Sequence, residues 1–347
     1  MNNSLLALAA LATVSAGACA QSSVTLYGKI DLGLVLDSGA AQGRSLRIAS
    51  GVANASRLGF KGSEDLGGGA KAAFVIETGY CADSAAPAVS GSTTVTNYCS
   101  GNNAFMGRQA HGDLSGAFGT MSAGRQYSLG YLNLSAIDPF SAGYSARANN
   151  VVDPSATRLN NSFQYRAPAV AGVVVAGEFA LGEQLGNWSA SREAGAGLSY
   201  ASGPAYLGAS WFQVDNANGQ GVARRNVLLG GTWDFGVARA HALVQKSTGS
   251  PTGAPALDVL EWLVGASVPL AGGSLMASFV HHDDRGVRDQ DANQLGVGYN
   301  YPLSKRTSIY SSFARIVDRN GAPFLVGNQT ETGTGGKSFD FGVLHSF

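Results

Sequence analysis

The chain has 347 residues, of which only 13% are charged, about half the share expected of a soluble globular protein. Its mean hydropathy of +0.04 is nevertheless too low for a bundle of membrane-spanning helices. Basic and acidic residues both number 23, so the charge balance gives no reason to expect nucleic acid as a partner.

The first twenty residues have the pattern of an export signal. An alanine-rich apolar run extends from Leu5 to Ala18, and Ala18-Cys19-Ala20 fits the small-x-small rule for cleavage before Gln21. The positive charge that usually precedes such a run is missing, and a lipoprotein signal through Cys19 is the alternative. We predict that residues 1–20 are a cleaved signal peptide and that the mature chain is exported.

Alternation of apolar and polar residues begins directly after this segment. In "SSVTLYGKIDLGLVLD", Val24, Leu26 and Leu34 share one parity, while Lys29 and Asp31 lie on the other. A helix would scatter these sets around its circumference, so the segment is a predicted strand. The terminal "KSFDFGVLHSF" alternates in the same way.

Two cysteines remain after removal of the signal, Cys81 and Cys99, in a segment rich in Ser, Thr, Asn and Gly. An even pair in an exported, oxidising setting predicts a disulfide within a loop. A catalytic thiol or a metal-binding pair is the alternative, but no histidine cluster accompanies the two cysteines.

Short and long connections alternate along the chain. "SEDLGGG", "LSGAFG" and "YPLSKR" are examples of short turn signals. The longer polar stretches lie at 38–46, 81–103, 129–156, 182–192, 216–224, 248–257, 285–290 and 319–335. The segments between the connections number about 16, with ~10–12 residues each, and need no helix.

The segment "TRLNNSFQYR" has the same alternation around its polar centre. We expect its apolar parity to face outward and its polar parity to face inward. The outward set is Leu159, Phe163 and Tyr165, and the inward set is Arg158, Asn160, Ser162, Gln164 and Arg166. Asn161 interrupts the outward row.

Segment length and polarity favour a membrane barrel over a soluble sandwich. A strand tilted by about 45° crosses the hydrocarbon layer in ~9–11 residues, whereas no apolar run after residue 20 reaches the ~18–20 residues of a spanning helix. Backbone N–H and C=O groups must be paired in lipid, so a spanning sheet must close on itself. We predict an all-β fold, a transmembrane antiparallel barrel of 16 strands over residues 21–347, apolar outside and wet inside.

Six motifs of the chain together resemble a known family. They are "SVTLYGKIDLGL", "SRLGFKGSEDLGGGAKAAFVIE", "GRQAHGDLSGAFGTMSAGRQY", "TRLNNSFQYRAPAVAG", "YPLSKRTSIY" and "FGVLHSF", and they run in family order from Val24 to Phe347. The family is that of the general diffusion porins of Gram-negative beta-proteobacteria. The resemblance implies a 16-stranded outer-membrane barrel, a homotrimer and a third long loop folded into the lumen. The terminal Phe347 resembles the signal read by the barrel assembly machinery.

The third long connection, residues 129–156, is the predicted constriction loop. A loop of this length without its own secondary structure is usually functional or disordered. Its charged residues are Asp138, Arg147 and Asp153. The loop is therefore poor in acid, and we expect these three side chains at the narrowest part of the channel.

Across from that loop the resemblance places a basic wall. Arg57 in "SRLGF", Arg108 in "GRQ" and Arg158 in "TRLNNS" match its positions, and Lys61 follows Arg57 on the same parity. Arginine offers a permanent charge and a planar fork of donors that can hold and release anions. In a narrow passage of low dielectric constant a few such charges shift the occupancy of ions. The alternative is that some of these arginines only pair with carboxylates and fix the loop.

These features predict passive diffusion of ions and small hydrophilic solutes through a water-filled channel, with a modest preference for anions. We expect the chain in the outer membrane of a Gram-negative bacterium, in contact with its lipids, with no cofactor, metal or catalytic residue. A substrate-selective channel for a sugar, organic acid or phosphate compound is the alternative. A surface enzyme or an adhesin is a further alternative, although no serine or paired-carboxylate motif joins the cluster "HHDD" at 281–284.

Overall fold

Antiparallel β-strands form most of the molecule. The computed structural model describes residues 23–84, 105–154, 156–331 and 333–347, and the predicted signal peptide (residues 1–20) lies outside them. The strands are β1 (Ser23–Ala40), β2 (Gly43–Ser50), β3 (Arg57–Gly67), β4 (Ala70–Gly79), β5 (Gln109–Gly116), β6 (Gly119–Tyr127), β7 (Arg158–Arg166), β8 (Val173–Ala180), β9 (Glu193–Ser202), β10 (Ala205–Asp215), β11 (Val222–Asp234), β12 (Arg239–Gly249), β13 (Leu257–Leu270), β14 (Gly273–Asp284), β15 (Ala292–Pro302), β16 (Thr307–Asp318) and β17 (Lys337–Ser346).

The sheet closes because its first and last strands pair. β1 pairs with β17 on one side. On its other side, β1 pairs with β3 through Ser23–Lys29 and with β2 through Leu32–Ala40. β2 and β3 therefore occupy one position of the wall, so the 17 strands found in the described ranges form a closed antiparallel barrel of 16. The predicted barrel is confirmed.

Apolar side chains face outward and polar ones inward along β1 and β17. Val24 and Leu26 are 68% and 54% exposed, whereas Asp31, on the opposite face of β1, is completely buried. On β17, Phe341 is exposed while its neighbour Asp340 is buried. A closed sheet with its apolar face outside is suited to lipid, where all backbone polar groups must be paired within the protein.

The two ends of the barrel differ in the length of their connections. At one end the hairpins are tight, as between β3 and β4 or β13 and β14. At the other end most connections are longer, as predicted, but the predicted long stretch at 38–46 is wrong. β1 and β2 stay paired as far as Ala40 and Gly43, which leaves a tight turn.

The connection between β6 and β7 folds into the barrel, and we call residues 128–157 the inner loop. It contains helix α1 (Leu129–Ile137) and a 3₁₀ turn (Ala148–Asn150), so the prediction that the chain needs no helix is wrong. The hydroxyl of Ser128 caps α1 by accepting the Tyr131 N–H at 3.1 Å. Neither this helix nor any other in the described part of the chain has the length and hydropathy of a membrane span.

Apolar packing fixes the inner loop against one side of the barrel. The buried loop residues Leu134, Ile137 and Phe140 belong to one cluster with side chains of β11 to β16. The wall contributes Leu228, Leu243, Leu263, Met276, Val280, Ala292, Ala314 and Ile316. This half of the interior is therefore a dry core, because the loop removes its apolar surface from water.

Residues 51–56, between β2 and β3, also turn inward, and we call them the inward excursion. Asp31 holds this segment, since its carboxylate accepts the Asn54 N–H at 2.6 Å. The carbonyl of Val52 accepts the N–H of Tyr144 from the inner loop at 2.8 Å. It also accepts the N–H of Gln329 from the last long loop at 3.4 Å. Three inward segments thus meet inside the barrel.

Candidate functional site

Three arginines lie at one level of the wall. Arg57 and Arg158 open β3 and β7, and Arg108 directly precedes β5. Because successive strands are antiparallel, the starts of these alternate strands lie at the same edge of the sheet. Lys29 of β1 lies directly opposite Arg57 in the β1–β3 register and adds a fourth cation. The structure therefore brings together the three arginines that the sequence analysis singled out.

Glu77 of β4 lies between two of these arginines. Its carboxylate is 2.7 Å from Nε of Arg108 and 3.7 Å from Nη1 of Arg57, and it accepts a hydrogen bond from the hydroxyl of Tyr27 at 3.1 Å. Both Glu77 and Arg108 are almost fully buried. Four cations against one carboxylate leave an excess of positive charge on this wall.

Tyr127, the last residue of β6, connects the other pair. Its hydroxyl accepts hydrogen bonds from Nη2 of Arg108 at 2.6 Å and from Nη2 of Arg158 at 3.0 Å. The guanidinium of Arg158 lies 4.6 Å from the centre of the Tyr127 ring. The same ring also stacks with Tyr131 of α1 at 5.3 Å. The basic wall is thus in direct contact with the inner loop.

Lys61 lies on the same face as the arginines but away from their cluster. The register of β3 against β1 puts Lys61 opposite Thr25 and Arg57 opposite Lys29, so the two cations share one face of the sheet. Lys61 Nζ is 5.4 Å from the centre of the Tyr27 ring. It therefore extends the basic wall toward the tight-turn end of the barrel.

The sequence predicted that the charged residues of the inner loop lie beside the arginines, but the structure places them elsewhere. Asp138 is buried within the loop, where its carboxylate accepts the N–H groups of Phe140, Ala142 and Ala148 at 3.0–3.1 Å. Burial raises the pKa of Asp138 to about 6. The expectation that its charge faces the channel is wrong, because the carboxylate serves the fold of its own loop.

The other two charges of the loop have separate surroundings. Arg147 is partly buried and donates from Nε to the side chain of Asn150 at 3.0 Å. Burial lowers the pKa of Arg147 to about 10. Asp153 is exposed and forms an ion pair with Arg224 of β11. Both residues thus have partners outside the basic wall, whereas the three arginines form one cluster.

Polar side chains of the barrel wall hold the inner loop in place. Asp340 accepts the N–H of Ser145 at 2.9 Å, and Glu178 accepts the N–H of Leu129 at 3.0 Å. The wall residues with such bonds to the loop are Glu178, Asn226, His241, Gln245, Glu261, Gln294 and Asp340. Inward polar residues thus satisfy loop backbone groups that would otherwise be buried without partners.

The alternation in "TRLNNSFQYR" breaks at a bulge. Asn161 has a φ of 50°, and the pairing of β6 with β7 shifts beside it. As a result Leu159 turns inward and packs with Ala180 and Phe212, so its predicted outward position is wrong. Phe163 is exposed on the outer face as predicted.

The remaining predicted residues lie at other places. Cys81 is buried and disulfide-bonded, whereas Cys99, its predicted partner, lies outside the described residues. Phe347 exchanges two backbone hydrogen bonds of 3.1 Å with Gly28 of β1. The chain terminus therefore completes the closing seam of the barrel.

Sequence reasoning missed three residues of the site, Lys29, Glu77 and Tyr127. Lys29 lies on the polar parity of its segment, which was a usable signal for an inward side chain. Alternation gave no such signal for the other two, because Glu77 has the parity of Val75 and Tyr127 has the parity of Met121. Contact with the arginines was not predictable, because it depends on the register between neighbouring strands.

The fold and the inward loop are matched by a defined family. The model of the Gram-negative porin family covers residues 7–321 of the chain. The chain belongs to the Gram-negative porin family. The porin is therefore a passive diffusion channel of the outer membrane, as the sequence predicted.

Individual relatives match this porin along nearly its whole length. Outer membrane porin protein 32 of Delftia acidovorans is 29% identical, and the match covers 100% of both chains. An outer membrane porin protein of Bordetella pertussis is 29% identical, with 94% of this chain and 99% of its own covered. A solved structure, the anion-selective porin from Comamonas acidovorans, has a TM-score of 0.74 at 26% identity and covers 94% of this chain and 100% of its own.

Proposed function

We propose that this porin prefers anions modestly and that Arg57, Arg108 and Arg158 set the preference, with Lys61 extending the basic wall. The observation that carries the proposal is the excess of cations over the single carboxylate of Glu77 in one contact cluster. The similarity to an anion-selective porin supports it.

The surroundings of the arginines suit transient contact with passing anions. Arg158 is held by the hydroxyl and the ring face of Tyr127, and no carboxylate of the described residues pairs with it and cancels its positive charge. A guanidinium in this state attracts anions, and water in the lumen keeps the attraction weak enough for release. The inner loop contributes little opposing charge, because Asp138 is buried and Asp153 is paired with Arg224.

Reversal potentials of single channels in a salt gradient test the proposal. The wild-type channel is expected to favour the anion, and the triple variant Arg57→Gln, Arg108→Gln, Arg158→Gln is expected to lose most of that preference. Arg239→Gln is the matched control, because Arg239 is an exposed arginine beside a tight turn, paired with Asp234 at 2.9 Å. Cation selectivity of the wild type, or an unchanged potential in the triple variant, would contradict the proposal.

The assembly of the porin is part of the same proposal. We expect a homotrimer, a signal peptide over residues 1–20 and use of Phe347 as an assembly signal, in line with the sequence pattern and the family resemblance. Sedimentation of the detergent-extracted protein measures the oligomer, and mass spectrometry of the exported chain measures its first residue. A monomer would contradict the expected homotrimer, and an unprocessed N-terminus would contradict the expected cleavage of the signal peptide.

A further inference from the structure

The Tyr127 hydroxyl is shared by two cationic side chains. It accepts hydrogen bonds from Arg108 at 2.6 Å and from Arg158 at 3.0 Å. A phenol oxygen has the two lone pairs that this arrangement requires. We propose that Tyr127 is a specificity-determining positioning residue, which fixes the Arg158 guanidinium in the channel. The inference rests on the proposed role of the arginines in anion preference.

The two arginines depend on Tyr127 to different degrees. Arg108 has a second strong partner, because its Nε lies 2.7 Å from the Glu77 carboxylate. Arg158 has no carboxylate partner among the described residues, and its buried Nε has no hydrogen-bond partner there. Its contacts with Tyr127 are one hydrogen bond and the face of the ring at 4.6 Å. Removing the hydroxyl therefore leaves Arg158 with the ring contact alone, whereas Arg108 keeps its bond to Glu77.

The ring of Tyr127 is itself fixed by the inner loop. It stacks on Tyr131 of α1 with an interplanar angle of 13°, and the Tyr131 hydroxyl accepts a hydrogen bond from Nε2 of Gln329 at 3.1 Å. Tyr127 thus makes the position of one charge of the basic wall, that of Arg158, depend on the position of the inner loop. The field at a narrow passage depends on where that charge lies, so its displacement changes ion selectivity without any change in net charge.

A double-mutant cycle on reversal potentials tests this inference. Tyr127→Phe keeps the ring and its stacking but removes the shared oxygen. It is expected to shift the reversal potential in the same direction as Arg158→Gln but by less, because the charge of Arg158 is displaced and not removed. Arg158→Gln is expected to have a smaller effect in the Tyr127→Phe background than in the wild type, whereas the effect of Arg108→Gln is expected to differ less between the two backgrounds, because Glu77 also holds Arg108.

Matched variants separate positioning from a loss of structure. Tyr165→Phe removes a hydroxyl on the outer face of β7 that is bonded to the Phe118 carbonyl and not to an arginine, and it is expected to leave the reversal potential unchanged. Arg158→Lys keeps the charge but loses the planar guanidinium, and it is expected to behave like Tyr127→Phe. This second variant tests the inference even if Tyr127→Phe does not assemble.

Two results would overturn the inference while the proposed function stands. One is a clear effect of Arg158→Gln together with no effect of Tyr127→Phe. The other is an Arg158→Lys channel with the wild-type potential. Absence of any effect of Arg158→Gln in the wild type would instead contradict the proposed role of this arginine, and the positioning role with it.

Discussion

Glu77 is the residue that most directly limits the charge of the basic wall. It is 2% exposed and contacts Arg57, Arg108 and Tyr27 at once. Its carboxylate neutralises one cation and also orients the buried guanidinium of Arg108. The same side chain therefore acts on selectivity and on stability.

Replacement of Glu77 by Gln is expected to change both properties. The channel should become more anion-selective, because the cations lose their opposing charge. The free energy of unfolding should fall by about 3 kcal/mol, because a buried ion pair is broken at one partner. Reversal potential and the temperature at which the folded protein unfolds in detergent measure the two effects. Glu64→Gln, at an exposed position of β3, should change neither, and a Glu77→Gln channel with unchanged selectivity would contradict the assignment.

Residue-scale prediction from the sequence succeeded where a single strand decides the outcome. The inward direction of Asp31 and the outward direction of Leu34 followed from alternation alone. The predicted outward direction of Leu159 was wrong because the backbone at Asn161 takes a left-handed conformation, which Asn tolerates better than most residues. Asn161 had already interrupted the outward row, but the interruption alone did not predict the bulge that the strand pairing shows.

At the scale of elements, the inner loop contains a turn of unusual backbone conformation. Ser141, Ala142 and Tyr144 have φ values of 51°, 58° and 62°. Such conformations cost free energy in residues other than glycine and persist where surrounding contacts enforce them. Asp138 supplies part of that enforcement, because its two carboxylate oxygens accept three N–H groups on both sides of the turn.

Asp138→Asn is expected to loosen the turn. An amide has one accepting oxygen and would direct its NH₂ group toward backbone donors that now face a carboxylate oxygen. We expect a loss of about 1–2 kcal/mol of stability and larger fluctuations of the open-channel current. Current recordings measure the second effect directly. The control is Asp153→Asn, which removes an exposed charge of the same loop and should leave the fluctuations near the wild-type level.

The length and inward direction of the inner loop were predictable, whereas its helix was not. The sequence "LGYLNLSAI" has no strand alternation and no charge, and by itself it favours a loop. Its apolar side chains are stable because wall residues such as Leu228 and Leu263 meet them inside the barrel. The sequence analysis predicted that all inward side chains face a water-filled lumen. On the side of β11 to β16 they pack against the inner loop instead.

For the whole molecule, the inner loop is a bridge between opposite parts of the barrel. It begins on the basic wall at β6, packs on β11 to β16 and touches the inward excursion beside β2. Gly143 makes the last contact possible, because a Cβ atom there would overlap the carbonyl oxygen of Ala53. The passage for solutes is consequently confined to one side of the interior.

Gly143→Ala is expected to separate the loop from the inward excursion. The overlap with a backbone oxygen cannot be relieved by a rotamer change, so a cost of about 1–3 kcal/mol is expected. Single-channel conductance should change and become more variable between recordings. Gly130→Ala is the matched control, since a Cβ atom at that position of α1 would make only ordinary contacts. Identical conductance of the two variants would show that the contact has no influence on the passage.

The pairing of β1 has a consequence for the order of folding. The side chain of Arg47 bonds to Glu331 at 3.0 Å, Tyr310 bonds to Asp31, and Thr330 bonds to the carbonyl of Ser50. The partners are 279 to 284 residues apart in the chain. Such distant contacts form slowly, because long segments must lose conformational entropy before the contacts can stabilise them. Until the last strands are in place, β1 lacks its pairing with β17, and the buried Asp31 lacks its hydrogen bond from Tyr310. We therefore expect the seam between the two termini to close after the strands between them have paired.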